Sequence, residues 1–188
     1  MTRIIAGVAG GRRIEVPQAV TRPTADRARE ALFSSIGAEV DRAGFLDLYA
    51  GSGAVGLEAA SRGAKRVLLV ESHAKAGAVL RRNISAVGLS EVKCVISPVE
   101  RLVEQPSPEP FDIVFLDPPY ALSASALNKV LMQLSTNNWL VDEALVIVER
   151  ASRDAPWQWP VQYVPLRDRR YGEGTLWYGR HSDVRMRT

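Results

Sequence analysis

Asp47-Leu48-Tyr49-Ala50-Gly51-Ser52-Gly53 closes a hydrophobic run that starts at Phe45, and Asp117-Pro118-Pro119-Tyr120 closes a second one, Phe111-Asp112-Ile113-Val114-Phe115-Leu116, about 70 residues later. Each run reads as a parallel strand buried on both faces. The first stretch is a glycine-rich turn, which lets backbone approach a nucleoside cofactor closely. The second is a loop stiffened by two prolines that sets a carboxylate beside an aromatic ring.

Strands and helical segments alternate around these two stretches. The pattern predicts strands near 44–49, 66–71, 92–97, 112–117 and 144–149 and helices near 54–62, 73–87, 98–104 and 123–135, the signature of a parallel sheet with crossover helices. Upstream, Arg3-Ile4-Ile5-Ala6-Gly7 and Arg12-Arg13-Ile14-Glu15-Val16 flank a glycine turn and predict a small β-hairpin. Arg22-Pro23-Thr24 reads as extended, with Thr24 capping a helix whose apolar face carries Ala28, Leu32, Phe33 and Ile36. Downstream, runs at 161–166 and 174–180 around Tyr171-Gly172-Glu173-Gly174 predict an antiparallel hairpin closing one sheet edge. The expected layout is an N-terminal hairpin extension over 1–20, an α/β domain over 21–180 and a basic tail over 181–188.

With 188 residues and 46% hydrophobic content, the chain can bury one full core. No apolar run reaches a membrane-spanning length and no signal segment precedes the fold, so a soluble cytoplasmic protein is expected, and with no coiled-coil repeat or pairing stripe a monomer is the default. The lone Cys94 excludes an internal disulfide and a multi-cysteine metal cluster, and no metal is expected. Charge is uneven. Residues 1–29 are net +4 (six Arg, two acids) and 161–188 net +3 (six Arg, three acids), which leaves 30–160 at −4 of the total +3. Basic ends around an acidic middle suit a phosphate-bearing substrate held by the appendages, because arginine offers a fixed donor fork. Arg3, Arg12, Arg13 and Arg22 supply one end. Arg169 and Arg170, beside Arg167 and next to Tyr171, supply the other, where a base can stack on the ring.

Gly51, Gly53 and Gly56 also satisfy the dinucleotide fingerprint, with Glu71 ending the next strand where a ribose would sit. A nicotinamide enzyme is therefore a rival reading. Asp47 separates the two, since a carboxylate four residues before Gly51 repels a pyrophosphate and attracts a cation. S-adenosyl-L-methionine (SAM) carries both an ammonium and a sulfonium. After the third strand, Ser97 and Val99 stand where a small polar and an apolar side chain bracket an adenine; Ser97 equally suits a helix cap.

The second stretch fits methyl transfer to an exocyclic amine. The lone pair of such an amine is delocalised into its ring, and a site accepting both amine hydrogens rotates the nitrogen towards tetrahedral geometry. Asp117 and the Pro118 carbonyl are the candidate acceptors, and Tyr120 is the candidate stacking platform, worth roughly 1–3 kcal/mol for an extruded base. Cytosine-C5 chemistry needs a nucleophilic cysteine on a catalytic loop, whereas Cys94 lies mid-strand. His73, Trp157 and Trp159 read as helix start and packing groups.

Taken with Arg3-Ile4-Ile5-Ala6-Gly7, Gly11-Arg12, Arg22-Pro23-Thr24 and Arg29-Glu30-Ala31-Leu32-Phe33, the two stretches make nearly the whole chain resemble the RsmD family, small-subunit rRNA guanine-N2 methyltransferases. The resemblance implies a Rossmann-like seven-stranded SAM-dependent methyltransferase sheet. It implies as substrate one guanine of 16S rRNA, at position 966, in an assembled or assembling small ribosomal subunit. Carried over by position, Asp47, Gly51, Gly53 and Glu71 match its cofactor motifs, and Asp117, Pro118 and Tyr120 its catalytic one. Arg22 and Thr24 border the methionine end or the target base. Ser97 departs from the acidic residue common there. The Asp-Pro-Pro-Tyr tetrapeptide is shared with DNA amino-methyltransferases, so a DNA enzyme stays open, as does a ribosome-assembly factor whose binding matters more than its chemistry.

Overall fold

The computed structural model describes residues 1–16 and 23–182, with side chains described from residue 26 onwards in the first helix. Arg22, the side chain of Thr24 and residues 183–188 of the expected tail lie outside the described residues. Two short strands, β1 (Thr2–Arg3) and β2 (Arg13–Ile14), pair antiparallel and form the N-terminal hairpin. The helix α1 runs Pro23–Ile36 and continues into a short 3-10 turn over Gly37–Val40. It begins at the proline itself, whose fixed φ suits a first helical position, so Thr24 lies inside the first turn and is not the cap expected for it.

The core then alternates β3 (Gly44–Leu48), α2 (Ala54–Ser61), β4 (Arg66–Glu71), α3 (Ala74–Val87), β5 (Val92–Ile96), α4 (Val99–Val103), β6 (Phe111–Leu116), α5 (Ala124–Thr136) and β7 (Leu140–Ala151). A hairpin of β8 (Tyr163–Tyr171) and β9 (Gly174–His181) completes it. The seven-stranded sheet has the order β5-β4-β3-β6-β7-β9-β8. β3 to β7 pair in parallel, and β9 pairs antiparallel with both β7 and β8. Counted from β3 as strand one, that order is 3-2-1-4-5-7-6. An all-parallel dinucleotide-binding sheet runs 3-2-1-4-5-6, without the inserted antiparallel strand.

The period of two along each strand sorts the core into two layers. Phe45, Leu69, Ile113, Phe115, Leu145 and Ile147 pack with α1, α2 and α3 on one face. Leu46, Leu48, Val114, Leu116, Val146 and Val148 pack with α4 and α5 on the other. The C-terminal boundary differs from the expected one, because His181 ends β9 and both His181 and Ser182 are buried. The His181 ring lies 3.0 Å from Ser135 Oγ through Nε2 and 3.0 Å from the Val141 carbonyl through Nδ1, so these two residues belong to the domain.

Candidate active site

Asp47, Glu71 and Asp117 converge at the carboxyl ends of β3, β4 and β6. Strand alternation puts Asp47 and Glu71 on the α2 face with Phe45 and Leu69, and Asp117, the first residue after β6, is near enough for its charge to act on Asp47. Asp47 is 2% exposed and lies beneath the glycine turn, where Oδ2 accepts the Gly56 N–H at 2.9 Å. Burial pushes its carboxyl up to about 8; the Gly56 hydrogen bond opposes that rise, and the charges of Asp117 and Glu71 add to it. A cation placed beside these carboxyls would oppose that rise and favour the ionised form of Asp47. One of the α2 amides that a pyrophosphate would use is also already taken.

The turn between β3 and α2 is tied down at both ends. The Gly51 N–H donates to Glu71 Oε2 at 2.8 Å, and the Gly53 N–H to the Ala50 carbonyl at 2.8 Å. The other Glu71 oxygen accepts the His73 N–H at 2.7 Å. Each carboxylate oxygen keeps a further lone pair, so Glu71 can hold the turn and still accept ribose hydroxyls. Three glycines that look alike in sequence differ here. A Cβ on Gly51 (φ 56°) meets open space, on Gly53 it falls 2.4 Å from a Leu80 methyl, and on Gly56 it falls 2.1 Å from a Leu69 methyl. Gly51 therefore presents the open backbone face to a ligand, whereas Gly53 and Gly56 let α2 approach the strands. Tyr49 has φ 64°, unusual for a residue with a side chain, and donates its hydroxyl to Glu100 Oε1 at 2.9 Å.

Ser97 follows β5 half-buried, with its N–H on the Glu71 carbonyl at 3.0 Å and its hydroxyl on the Pro98 carbonyl at 3.2 Å. The α4 N-cap is Pro98, with no side-chain cap bond, so Ser97 does not cap that helix. Val99, the first residue of α4, is 1% exposed and belongs to the same buried cluster as Leu48 and Val70.

The Asp117 N–H reaches the Leu48 carbonyl at 3.4 Å, which fastens the prolyl loop to β3 beside the turn. Asp117 is exposed, Pro118 is buried, and Tyr120 shows 42% of its surface. The Pro119 carbonyl accepts the Leu122 N–H at 2.9 Å, so the chain doubles back directly after the ring.

The arginines separate into two groups. Arg12 donates to the Val87 carbonyl at the C-terminus of α3, a capping role at the opposite sheet end. Arg3 and Arg13 are exposed and face each other in the β1–β2 register. The structure does not bring these three to Asp117. Arg169 and Arg170 are exposed on β8, and with Tyr171 they lie at the carboxyl end of β7, since Thr175 pairs with both Arg150 and Arg170 and Gly174 with both Ala151 and Tyr171. Arg167 instead donates to Ser35 Oγ at 2.8 Å and lies 4.4 Å from the centre of the Tyr178 ring, anchoring the hairpin on α1.

Sequence reading missed three site residues. Buried Asn83 accepts the Glu15 N–H at 2.8 Å and donates to the Glu15 and Ser52 carbonyls at 2.9 and 2.8 Å, which joins the N-terminal hairpin to the glycine turn. Arg150 donates to the Leu122 carbonyl at 3.1 Å, and Arg153 stands 5.9 Å from the centre of the Tyr120 ring. Only their distance in sequence from the two motifs hid them.

This strand order, with a glycine turn on β3 and an acidic prolyl loop on β6, defines the Rossmann-like class of SAM-dependent methyltransferases. The model of the family described as Conserved hypothetical protein 95 matches residues 2–180. The chain is 34% identical over 174 residues to the Ribosomal RNA small subunit methyltransferase D of Haemophilus influenzae, covering 90% of this chain and 89% of that one. It is 38% identical over 148 residues to the protein of the same name from Escherichia coli strain K12, covering 78% and 73%. A solved Escherichia coli chain provisionally described as a methyltransferase superimposes with a TM-score of 0.86 at 32% identity, covering 96% of this chain and 97% of that one. The chain belongs to this family, the RsmD family of its motifs.

Proposed function

We propose that this chain methylates the N2 amine of a guanine of 16S rRNA, at position 966, with SAM as cofactor, acting as a cytoplasmic monomer on the small ribosomal subunit. The observation that supports this reading is that Asp117, directly after β6, and Glu71 both lie near enough to Asp47 for their charges to act on it, with Tyr120 three residues further along the prolyl loop. The names of the relatives support rRNA as the substrate class. When bound, SAM supplies a methyl group activated by its sulfonium. Gly51 offers it an open backbone face, Glu71 accepts ribose hydroxyls, and the negative charge of Glu71 and Asp117, joined by Asp47 as it loses its proton, favours its cationic end.

Tyr120 holds the extruded guanine by stacking. Asp117 and the Pro118 carbonyl accept the two amine hydrogens and turn the nitrogen lone pair out of conjugation. The nitrogen–carbon bond forms as the carbon–sulfur bond breaks, and the surplus amine proton leaves through Asp117 to water. The loop contributes by positioning, which its two prolines hold at low entropic cost.

The test is transfer of labelled methyl from SAM to small subunits isolated from cells lacking the gene, with naked 16S rRNA and duplex DNA alongside and the modified nucleoside identified by mass. N2-methylguanosine in the rRNA is the expected product. Label confined to DNA would overturn the reading in favour of a DNA enzyme. Asp117→Ala is expected to lower turnover by at least about 100-fold with SAM affinity nearly intact, and near-normal turnover would overturn the acceptor role.

A further inference from the structure

The turn that follows β7, Ala151-Ser152-Arg153-Asp154, belongs to neither motif, yet it is fastened to both sides of the site. Its own closure is the Asp154 N–H on the Ala151 carbonyl at 2.9 Å. The Ser152 N–H donates to the Glu173 carbonyl at 2.7 Å, and Ser152 Oγ lies 2.9 Å from Thr175 Oγ1, which joins the turn to the hairpin carrying Arg169 and Arg170. Arg150, 9% exposed, pairs with Asp154 at 3.2 Å and donates to the Leu122 carbonyl at 3.1 Å, which joins the turn to the prolyl loop. Arg153 itself is exposed, and its guanidinium carbon stands 5.9 Å from the centre of the Tyr120 ring.

We propose that Arg153 is an RNA-binding residue of the target site that grips the phosphate beside the extruded nucleotide; the proposal rests on the reading of the site as an RNA base methyltransferase. The guanidinium lies at the outer limit of cation–π attraction, about 6 Å, so an arriving base takes the ring face from it at little cost. Once displaced, the side chain stays tethered to a turn fixed within reach of the same nucleotide. The backbone of that nucleotide offers the nearest new negative charge, in a geometry that suits the planar donor fork. Asp154 is drawn off by Arg150. Arg153 thereby starts a basic path leading from Tyr120 across the sheet end to Arg170 and Arg169.

The experiment compares wild type, Arg153→Ala and Arg153→Lys, with Arg81→Ala as an exposed-charge control on the outer surface of α3. It measures methyl-transfer kinetics on small subunits across a salt series, SAM affinity by calorimetry, and binding of small subunits without SAM. Arg153→Ala is expected to raise KM for subunits about tenfold and to reduce the slope of log affinity against log salt by about 1, the signature of one lost phosphate contact. SAM affinity should stay within twofold of wild type, Arg153→Lys should recover most of the slope, and Arg81→Ala should match wild type. An unchanged KM and slope in Arg153→Ala would overturn the inference, as would a defect that keeps the full salt slope. If wild type methylates no subunits at all, the parent reading fails, and subunit binding still reports whether Arg153 contributes a salt-dependent contact.

Discussion

At the scale of single residues, Asp47 carries the sharpest consequence. Its carboxyl is pushed up to about 8 by burial, against about 4 for an ordinary carboxylate, so the folded chain holds a proton there that the unfolded chain releases. Over that window the unfolded state binds fewer protons, and stability falls as pH rises, with the favourable contribution complete below about 4 and lost on passing through about 8. Asp47→Asn should remove that slope, so that between pH 6 and 9 the wild-type thermal midpoint drops by several degrees more than the variant's. Parallel scans of the two proteins check this. A cation seated over the three carboxylates reverses the preference. SAM binding at pH 7 should therefore release a proton from wild type and none from Asp47→Asn, which calorimetry in buffers of different ionisation enthalpy reads directly. The sequence placed Asp47 correctly before the turn and could not show that it lies under it, because depth depends on α2 closing over β3.

At the scale of elements, the glycines and Asn83 explain how the turn keeps its shape. Gly56→Ala drives a Cβ to 2.1 Å from Leu69 and should destabilise by about 1–3 kcal/mol, a cost of overpacking measured by urea unfolding. Gly51→Ala meets no atom and carries only the left-handed φ penalty, about 1–2 kcal/mol, and its larger effect should fall on SAM affinity. Asn83→Ala leaves the Glu15 N–H and the Ser52 carbonyl without their partner at a partly buried site, for about 1 kcal/mol, and should loosen hairpin and turn together in hydrogen exchange. The alternation that revealed β3 to β6 is local and was legible to within one residue at each end. β7 proved longer than the predicted 144–149, running Leu140–Ala151, and β8 longer than 161–166, running Tyr163–Tyr171. The polar Arg167-Asp168-Arg169-Arg170 stretch joins β8 by pairing with β9, which periodicity does not register, and Asp142-Glu143 lie in a bulge of β7 between the paired Leu140 and Leu145. In the site, the two motifs were legible because their chemistry is compressed into a few adjacent residues. Arg150, Arg153 and Asn83 were not, since each acts through a partner at least 28 residues distant.

At the scale of the whole molecule, Glu58 decides how the N-terminal hairpin joins the domain. Fully buried on α2, it accepts the Ile5 and Ala6 N–H groups at 2.7 and 3.0 Å and pairs with Arg62 at 2.7 Å. Glu58→Ala should cost about 3–5 kcal/mol, because two amides and a cation lose their acceptor together. Proteolysis should then cut selectively within residues 1–16 while the sheet persists. The engagement of Arg12 at the α3 terminus also changes how RNA binding is best probed: Arg169→Glu with Arg170→Glu perturbs the site end of the sheet without undoing a helix cap. The position of β9 bears on how the molecule comes into being. Among the described residues it is the last strand in chain order, yet it lies between β7 and β8. Until the ribosome releases those final residues, β7 remains an open edge and β8 a strand with no neighbour, and the arginines of the hairpin have no fixed bearing on Tyr120. A copy lacking β9 therefore carries both motifs, yet Arg169 and Arg170 have no paired strand to hold them at the site end of the sheet.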